Sequence, residues 1–169
     1  MAGNRHTDVR GARRTGGAAA SGPGPGPRGK WHRMWSCERV VGADLDVEEV
    51  LGLYRASTLA ERRPVDDVER FARMLSGANL VVTARDDRGR LIGIARSITD
   101  GAYATYLSDL AVDAAHQGEG VGRELICVTA EAAPQATIVL LAAPKARAYY
   151  PRVGFTAHDS AWMLDGPEA

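Results

Sequence analysis

Cysteine is scarce in this chain, and long apolar runs are absent. Only Cys37 and Cys127 occur in 169 residues, far apart and without the spacing of metal ligands. This excludes a disulfide-rich scaffold and predicts two thiols in a reducing cytoplasm rather than a metal site. No apolar run approaches the ~20 residues of a membrane span, and Ala18–Ala20 is too short for the apolar centre of a secretory signal. We therefore expect a cytoplasmic protein without membrane contact.

Net charge is also absent, because 21 basic residues balance 21 acidic ones. The two signs are nevertheless separated along the chain. Residues 1–33 carry seven Lys or Arg and one acid, which leaves fourteen basic and twenty acidic residues in the remainder. An acidic body favours a cationic substrate over nucleic acid through long-range attraction.

The basic segment has almost nothing to bury. Residues 1–35 are rich in Gly, Pro, Ala and Arg and include the alternating run Gly22–Pro27. Such a segment cannot offset its ordering entropy, so we predict a disordered tail. Met34 is a second possible start of the natural protein. Residues 36–169 are long enough for a single domain, and the 45% hydrophobic content is ordinary for one.

The body alternates between strand and helix patterns, which predicts an α/β (α+β) fold. Helices are predicted over 46–61, with Asp46 as its cap, from about Val65 to Gly77, from about Gly120 to Ala133, and over 145–150. The second of these carries Val68, Phe71, Ala72 and Leu75 on one face. Strands are predicted over 37–41, 80–84, 91–95, 103–112 and 137–142, with closing strands after Phe155 that include Trp162–Leu164. The turn at 86–89 predicts a β-hairpin.

A glycine-rich turn lies between the strand at 103–112 and the helix from Gly120. Its residues are Gln117, Gly118, Glu119, Gly120, Val121, Gly122 and Arg123. The first N–H groups of a helix lack intrahelical partners, and the helix dipole adds positive charge, so this place is an anion site. Glycines allow a phosphate to approach the main chain. The turn therefore predicts a phosphorylated cofactor.

Two common nucleotide sites do not fit this turn. A Walker loop needs Gly-Lys followed by Ser or Thr, whereas this chain has Gly122-Arg123-Glu124. A dinucleotide site needs a third glycine where Arg123 stands, and an acid after the next strand, which ends in Leu140–Ala142.

A third pattern fits better. The spacing Gln117-x-x-Gly120-x-Gly122 resembles the acyl-CoA signature of the GNAT family of N-acetyltransferases. Leu107–Asp113 is similar to that family's central strand, and Tyr149–Phe155 to its late tyrosine and glycine-phenylalanine signature. The likeness covers residues 36–165. It implies the GNAT fold: a mixed, mostly antiparallel central sheet, flanked by helices, with splayed central strands. It also implies acetyl-CoA as acetyl donor, direct attack by an amine, and a homodimer as a common assembly.

The resemblance assigns the donor site residue by residue. The backbone N–H groups from Gln117 to Arg123 would hold the pyrophosphate of CoA, and Arg123 would add charge. The main chain of Leu110, Ala111 and Val112 would pair with the pantetheine arm. The N–H near Val112 could also polarise the thioester carbonyl.

The resemblance likewise implies catalytic residues. Tyr150 matches the family's general acid, which protonates the departing thiolate, while Tyr149 is the packing member of the pair. A core tyrosine is the alternative for Tyr150. Ser108 occupies the position where many members carry a glutamate. The adjacent carboxylate, Asp109, should face the other side of the strand, and would orient the substrate or act through water.

Other candidates have weaker support. His116, His158 and Asp159 are lesser candidates for the base. Side chains that could line an acceptor pocket are Tyr103, Tyr106, Trp162, Asp100, Asp109 and Asp159. Two departures from the family pattern are Ala143, where an asparagine is frequent, and Pro151, which directly follows Tyr150.

The acceptor is left open between small-molecule and protein amines. A non-catalytic acyl-CoA-binding or sensor module on the same fold is the alternative function. A nucleic-acid-linked acyltransferase is the third, for which binding should fall steeply with added salt.

Overall fold

The computed structural model describes residues 34–167. The predicted disordered tail lies outside these residues except for Met34 and Trp35. Trp35 already belongs to the first strand, so the domain begins slightly before the predicted boundary at residue 36.

One five-stranded sheet forms the centre of the domain. Its strands are β1 (Trp35–Val40), β2 (Leu80–Asp86), β3 (Leu91–Thr99), β4 (Ala104–Val112) and β5 (Thr137–Val139), in that spatial order. All neighbours are antiparallel except β4 and β5, which are parallel. The predicted mixed, mostly antiparallel sheet and the β2–β3 hairpin are confirmed.

The sheet opens between its last two strands. β4 pairs with β5 only from Ala104 to Tyr106, opposite Thr137 to Val139. The rest of β4 continues to Val112 without a strand beside it on that edge. The backbone groups of this edge therefore face a gap rather than a neighbouring strand. This gap positions the candidate site.

Three helices flank the sheet: α1 (Val47–Ala56), α2 (Val68–Ser76) and α3 (Val121–Ala132). The Asp46 carboxylate caps α1 by accepting from the Glu48 N–H at 2.9 Å, as its sequence position predicts. α1 ends earlier than predicted, because Thr58 takes a left-handed conformation with φ of 68°. A 3-10 turn (Leu59–Arg62) follows. No helix in residues 34–167 is long and apolar enough to cross a membrane.

The helices form two apolar clusters, one on each face of the sheet. α1 and α2 cover one face, where the rings of Tyr54 and Phe71 meet edge to face at 4.9 Å. α3 covers the other face through Val121, Leu125 and Ile126. Among the apolar residues predicted to share one face of α2, Phe71 and Leu75 are buried and Ala72 is partly buried. Val68, at the first position of α2, is 46% exposed.

The segment after β5 is less regular than predicted. The helix predicted over 145–150 is replaced by two 3-10 turns, Pro144–Ala146 and Tyr150–Val153, and Pro151 disfavours α geometry at Tyr150. β5 ends at Val139 rather than at Ala142.

The predicted closing strands do not form in the described part of the chain. Residues 156–167 contain no strand. Trp162 is 93% exposed and Leu164 98% exposed. The apolar run is present, but it has no hydrogen-bonded neighbour, and a strand needs one.

Gly42 permits a close approach between the end of β1 and α2. A Cβ built at this position would lie 2.1 Å from the backbone oxygen of Leu75, so the main chain itself would have to move. We expect Gly42→Ala to lower the free energy of unfolding by about 1–3 kcal/mol, measured by urea denaturation. The matched control is Gly52→Ala on α1, where a Cβ meets nothing within 4 Å. That substitution should raise stability by about 0.5–1 kcal/mol through helix propensity. Equal effects of the two substitutions would contradict the role given to Gly42.

Candidate active site

A cleft lies where β4 separates from β5. β4 contributes one wall, the stretch after β5 contributes another, and the 3-10 turn after α1 closes the end. Its lining residues are Leu59, Arg62, Arg63, Leu107, Ser108, Leu110, Leu140, Leu141, Ala143, Ala146 and Tyr150. Two residues predicted for the site, Leu110 and Tyr150, therefore come together here.

A β-bulge at Ser108 shapes the β4 wall. Arg96 of β3 pairs with Asp109 and the next residue, Ser97, pairs with Leu107, so Ser108 is the extra residue. The bulge shifts the alternation of side chains. Leu107 and Leu110 both pack on the α3 side, although a regular strand would place them on opposite faces.

The bulge also changes the prediction for Ser108 and Asp109. Adjacent residues of a regular strand face opposite sides of a sheet, yet both of these side chains reach Arg96. Its Nη2 donates to Ser108 Oγ at 2.8 Å, and its Nε donates to Asp109 Oδ2 at 2.5 Å. The predicted separation of the two side chains was wrong, because the period of two does not hold across a bulge.

Asp109 is the centre of a buried charge cluster. Its side chain is fully buried, and its two oxygens accept from Arg96 Nε, from Arg63 Nε at 2.5 Å and from the Tyr54 hydroxyl at 2.9 Å. Burial, and next the Asp109 charge, raise the pKa of the Tyr54 hydroxyl, which remains a proton donor to Asp109. The Asp109 carboxylate is thus enclosed by three donors, and solvent does not reach it.

Arg63 links this cluster to the cleft. Its Nε is held by Asp109, its Nη2 donates to the carbonyl oxygen of Ser108 at 2.8 Å, and its Nη1 donates to the carbonyl oxygen of Arg62 at 2.7 Å. One guanidinium therefore ties the 3-10 turn after α1 to the bulge of β4. This fixes the end wall of the cleft.

The two adjacent tyrosines have different surroundings. Tyr149 packs against the apolar cluster under α3, whereas Tyr150 lines the cleft. The Tyr150 ring meets the rings of Tyr149 and Phe155 edge to face, each at 5.5 Å. Burial raises the pKa of the Tyr150 hydroxyl, and the nearby Arg62 charge opposes this shift. The phenol is therefore protonated at neutral pH.

Two glycines of the turn have left-handed backbone conformations. Gly118 and Gly120 have φ of 86° and 93°, and a Cβ at either would meet nothing within 4 Å, so space is open beside the main chain. The first intrahelical bond near this end runs from the Glu124 N–H to the Gly120 carbonyl. The N–H groups of Val121, Gly122 and Arg123 precede it and lack intrahelical acceptors. These features fit a pyrophosphate.

Gln117 ties the turn to the end of β4. Its side-chain Nε2 donates to the Val112 carbonyl at 3.1 Å, and its own N–H donates to Ala114. The Gln117 backbone donor is therefore already in use, unlike those of the first turn of α3. The turn and the free edge of β4 are held next to each other, so an extended molecule could contact both.

Gly122 lies against the Tyr149 side chain. A Cβ at this position would lie 2.8 Å from the Tyr149 hydroxyl. A side chain here would therefore require the end of the Tyr149 side chain to move.

The remaining sequence candidates lie outside the cleft lining. His116 bridges Arg90 at 2.8 Å and Glu119 at 3.0 Å within the glycine turn. The Asp100 carboxylate accepts the N–H groups of Ala102, Tyr103 and Ala104 and so holds the β3–β4 turn. The cleft lining does not include the others, which are exposed: Tyr103, Tyr106, His158, Asp159 and Trp162. Within residues 34–167, no group of three or more His, Cys, Asp or Glu could hold a metal ion.

Arg62 and Arg63 were not predicted as site residues. Pro64 disfavours helical geometry at Arg63, so the sequence could have placed this pair in a turn after α1. It could not have shown which way the turn runs, because that depends on the left-handed Thr58 and on the long-range contact with Asp109.

Comparison with known proteins agrees with this architecture. The sequence model of the family described as "Acetyltransferase (GNAT) domain" matches residues 53–167. An uncharacterized N-acetyltransferase, ycf52, of Pyropia yezoensis is 25% identical over 130 residues, which are 71% of this chain and 75% of the relative.

Two solved structures show the same fold. A GNAT family acetyltransferase from Streptococcus pneumoniae TIGR4 superposes with a TM-score of 0.63 at 21% identity, covering 79% of this chain and 100% of that one. An aminoglycoside acetyltransferase from an uncultured soil metagenomic sample, in complex with sisomicin, has a TM-score of 0.59 at 19% identity, covering 79% and 95%.

Proposed function

The chain belongs to the GNAT family of acetyltransferases, and from this premise we propose that it transfers an acetyl group from acetyl-CoA to a primary amine. The observation that carries the proposal is one juxtaposition. Gln117 joins the open glycine turn to the end of β4, the edge of β4 beyond Tyr106 has no described strand beside it, and Leu110 of that strand lines the cleft together with Tyr150, which outlines a path from the turn to the cleft. Such a path suits a long donor with a phosphate at one point and a reactive thioester at its end.

The donor would be held by backbone groups. The main chain from Gly118 to Arg123 binds the pyrophosphate, and Gln117 keeps this turn against β4 through its bond to Val112. The exposed edge of β4 at Leu110, Ala111 and Val112 pairs with the pantetheine arm as an added strand would. When bound, acetyl-CoA supplies the activated acetyl group.

Tyr150 is proposed to supply a proton to the leaving sulfur. Its hydroxyl makes no hydrogen bond to another group of the described residues, so it is free to donate into the cleft. Because burial raises the pKa of this phenol, it carries its proton throughout the neutral range.

Asp109 is proposed to act through its neighbours. Its carboxylate, enclosed by Tyr54, Arg63 and Arg96, is 1% exposed and cannot meet an amine in the cleft directly. We assign it the role of a positioning residue, because it holds Arg63 against the bulge of β4.

The glycine turn offers a test of donor binding. We expect Gly120→Ala to weaken acetyl-CoA binding about 10- to 100-fold, measured by calorimetry, because a Cβ and a strained φ interfere with charge-assisted bonds to the pyrophosphate. Gly101→Ala is the matched control, since Gly101 also has a positive φ (75°) and open space, but lies in the β3–β4 turn. Equal donor affinity in the two variants would remove the turn from the donor site.

The function itself is tested by release of free CoA thiol over a panel of primary amines, with acetyl-CoA as donor. Turnover that needs both substrates supports the proposal. Tight binding of acetyl-CoA without turnover on any amine would instead indicate an acyl-CoA-binding module.

A further inference from the structure

The charge of the cleft indicates which kind of acceptor can bind there. The proposed function does not identify this acceptor beyond a primary amine. The lining residues include two arginines, Arg62 and Arg63, and no carboxylate side chain. Behind the wall, Arg63 shares the single carboxylate of Asp109 with Arg96. Two guanidinium groups and one carboxylate leave this cluster with net positive charge.

Arg62 differs from Arg63 and Arg96 in its contacts. Within residues 34–167 its guanidinium has no carboxylate at ion-pair distance, whereas Arg63 and Arg96 are both paired. Its backbone is fixed, because its carbonyl oxygen accepts from Arg63 Nη1 at 2.7 Å. A long cationic side chain held at its base, with no protein partner at its tip, is suited to a ligand anion.

The position of this charge is close to the reacting end of the cleft. Arg62 and Tyr150 both line it, and the Arg62 charge acts on the Tyr150 hydroxyl. An acceptor amine that attacks beside Tyr150 therefore has Arg62 within a short reach of its other groups. A polycationic acceptor would place like charges together there, which is unfavourable.

Resting on the proposed acetyl transfer, we propose that the acceptor is an amine that carries an oxyanion, a carboxylate or a phosphate, a few bonds from its nitrogen, and that Arg62 binds this oxyanion. The acidic body of the chain favours cationic substrates at long range. The local charge of the cleft has the opposite sign, and an ion pair at contact distance with Arg62 is stronger than the field of distant surface charges, which salt screens beyond about one Debye length.

The test compares acceptors in matched pairs. The first pair is an α-amino acid and its carboxamide, and the second is an amino-sugar phosphate and the unphosphorylated amino sugar. We expect kcat/KM to be about 10- to 100-fold higher for the anionic member of at least one pair. The pair that shows the difference identifies whether the oxyanion bound by Arg62 is a carboxylate or a phosphate.

Variants assign the preference to Arg62. Arg62→Gln should lower kcat/KM for the anionic member far more than for the neutral member, so that the preference is lost, and Arg62→Lys should restore part of it. Arg39→Gln is the control, because it removes the same charge from the exposed edge strand β1 at the far end of the sheet. Arg39→Gln should keep the full preference.

A binding measurement separates the two proposals. Calorimetry of the same acceptors without donor should show tighter binding of the anionic member, and Arg62→Gln should lose this difference. If no amine is acetylated yet the difference in binding persists, the proposed acetyl transfer fails and the anion site stands. If amines are acetylated but neutral members are used equally well, or if Arg62→Gln weakens only acetyl-CoA binding, the assignment of Arg62 is overturned.

Discussion

Tyr150→Phe is expected to lower kcat by about 10²- to 10⁴-fold while leaving acetyl-CoA affinity largely unchanged. The substitution removes only the hydroxyl, and the ring keeps its edge-to-face contacts with Tyr149 and Phe155 at 5.5 Å. The leaving sulfur then lacks its proton donor, whereas the glycine turn and the β4 edge are untouched. Steady-state kinetics and calorimetry measure the two quantities separately.

The control for this substitution is Tyr103→Phe. Tyr103 is 82% exposed in the β3–β4 turn, so its hydroxyl has no part in the cleft. The Tyr103→Phe variant should retain the kcat of the wild-type protein. Wild-type turnover in the Tyr150→Phe variant would remove Tyr150 from its proposed role, and an equal loss of donor affinity would reassign it to binding.

The pH dependence follows from the direction of the Tyr150 shift. Because burial raises the pKa of this phenol, its acid form persists above the ordinary tyrosine value of about 10. Loss of kcat through deprotonation of Tyr150 is therefore expected only above that pH, and not in the neutral range.

The second large effect is expected from Asp109→Asn, on stability rather than on chemistry. The substitution keeps the shape of the side chain but removes the carboxylate that, within residues 34–167, is bonded to both Arg63 and Arg96, and Arg96 is 6% exposed. Breaking a buried ion pair on one side leaves an uncompensated charge. We expect the free energy of unfolding to fall by about 3–5 kcal/mol in urea denaturation.

An exposed ion pair provides the control. Glu69→Gln on α2 removes the partner of Arg73, and these side chains are 88% and 64% exposed. Its expected cost is at most about 0.5 kcal/mol, because solvent screens the pair. A similarly small cost for Asp109→Asn would show that the buried cluster does not hold the site together.

Much of the fold was predictable because its signals are local. Asp46 caps α1, whose apolar residues recur with helical spacing, and Gly120 directly precedes the first residue of α3. The apolar runs that became β2 and β3 flank a short polar turn, which is the pattern of a hairpin. In each case the residues that decide the structure are neighbours in sequence.

The errors have a different origin. The bulge at Ser108 depends on how β4 registers with β3, so the sequence of β4 alone does not reveal it. The contacts of Asp109 reach Tyr54 and Arg63, which are distant in sequence. The run Trp162–Leu164 has a strand-like composition, but composition does not supply a neighbouring strand.

The same distinction between local signals and long-range contacts applies to the candidate site. The glycine turn and Tyr150 were predicted from motifs, and the structure places Tyr150 in the cleft beside β4. Arg62 and Arg63 carry no motif, since their position results from the turn after α1 and from long-range hydrogen bonds. The residues at the acceptor end of the site therefore had to be identified from the structure rather than from sequence motifs.

The most direct test of the central claim follows the acetyl group itself. Acetyl-CoA labelled in its acetyl group is incubated with the protein and the amine panel, and label in N-acetylated product is quantified beside free CoA thiol. We expect equimolar product and thiol for the wild-type protein, and a rate reduced about 10²- to 10⁴-fold for Tyr150→Phe. Saturable binding of acetyl-CoA with no label transferred to any amine would contradict this expectation.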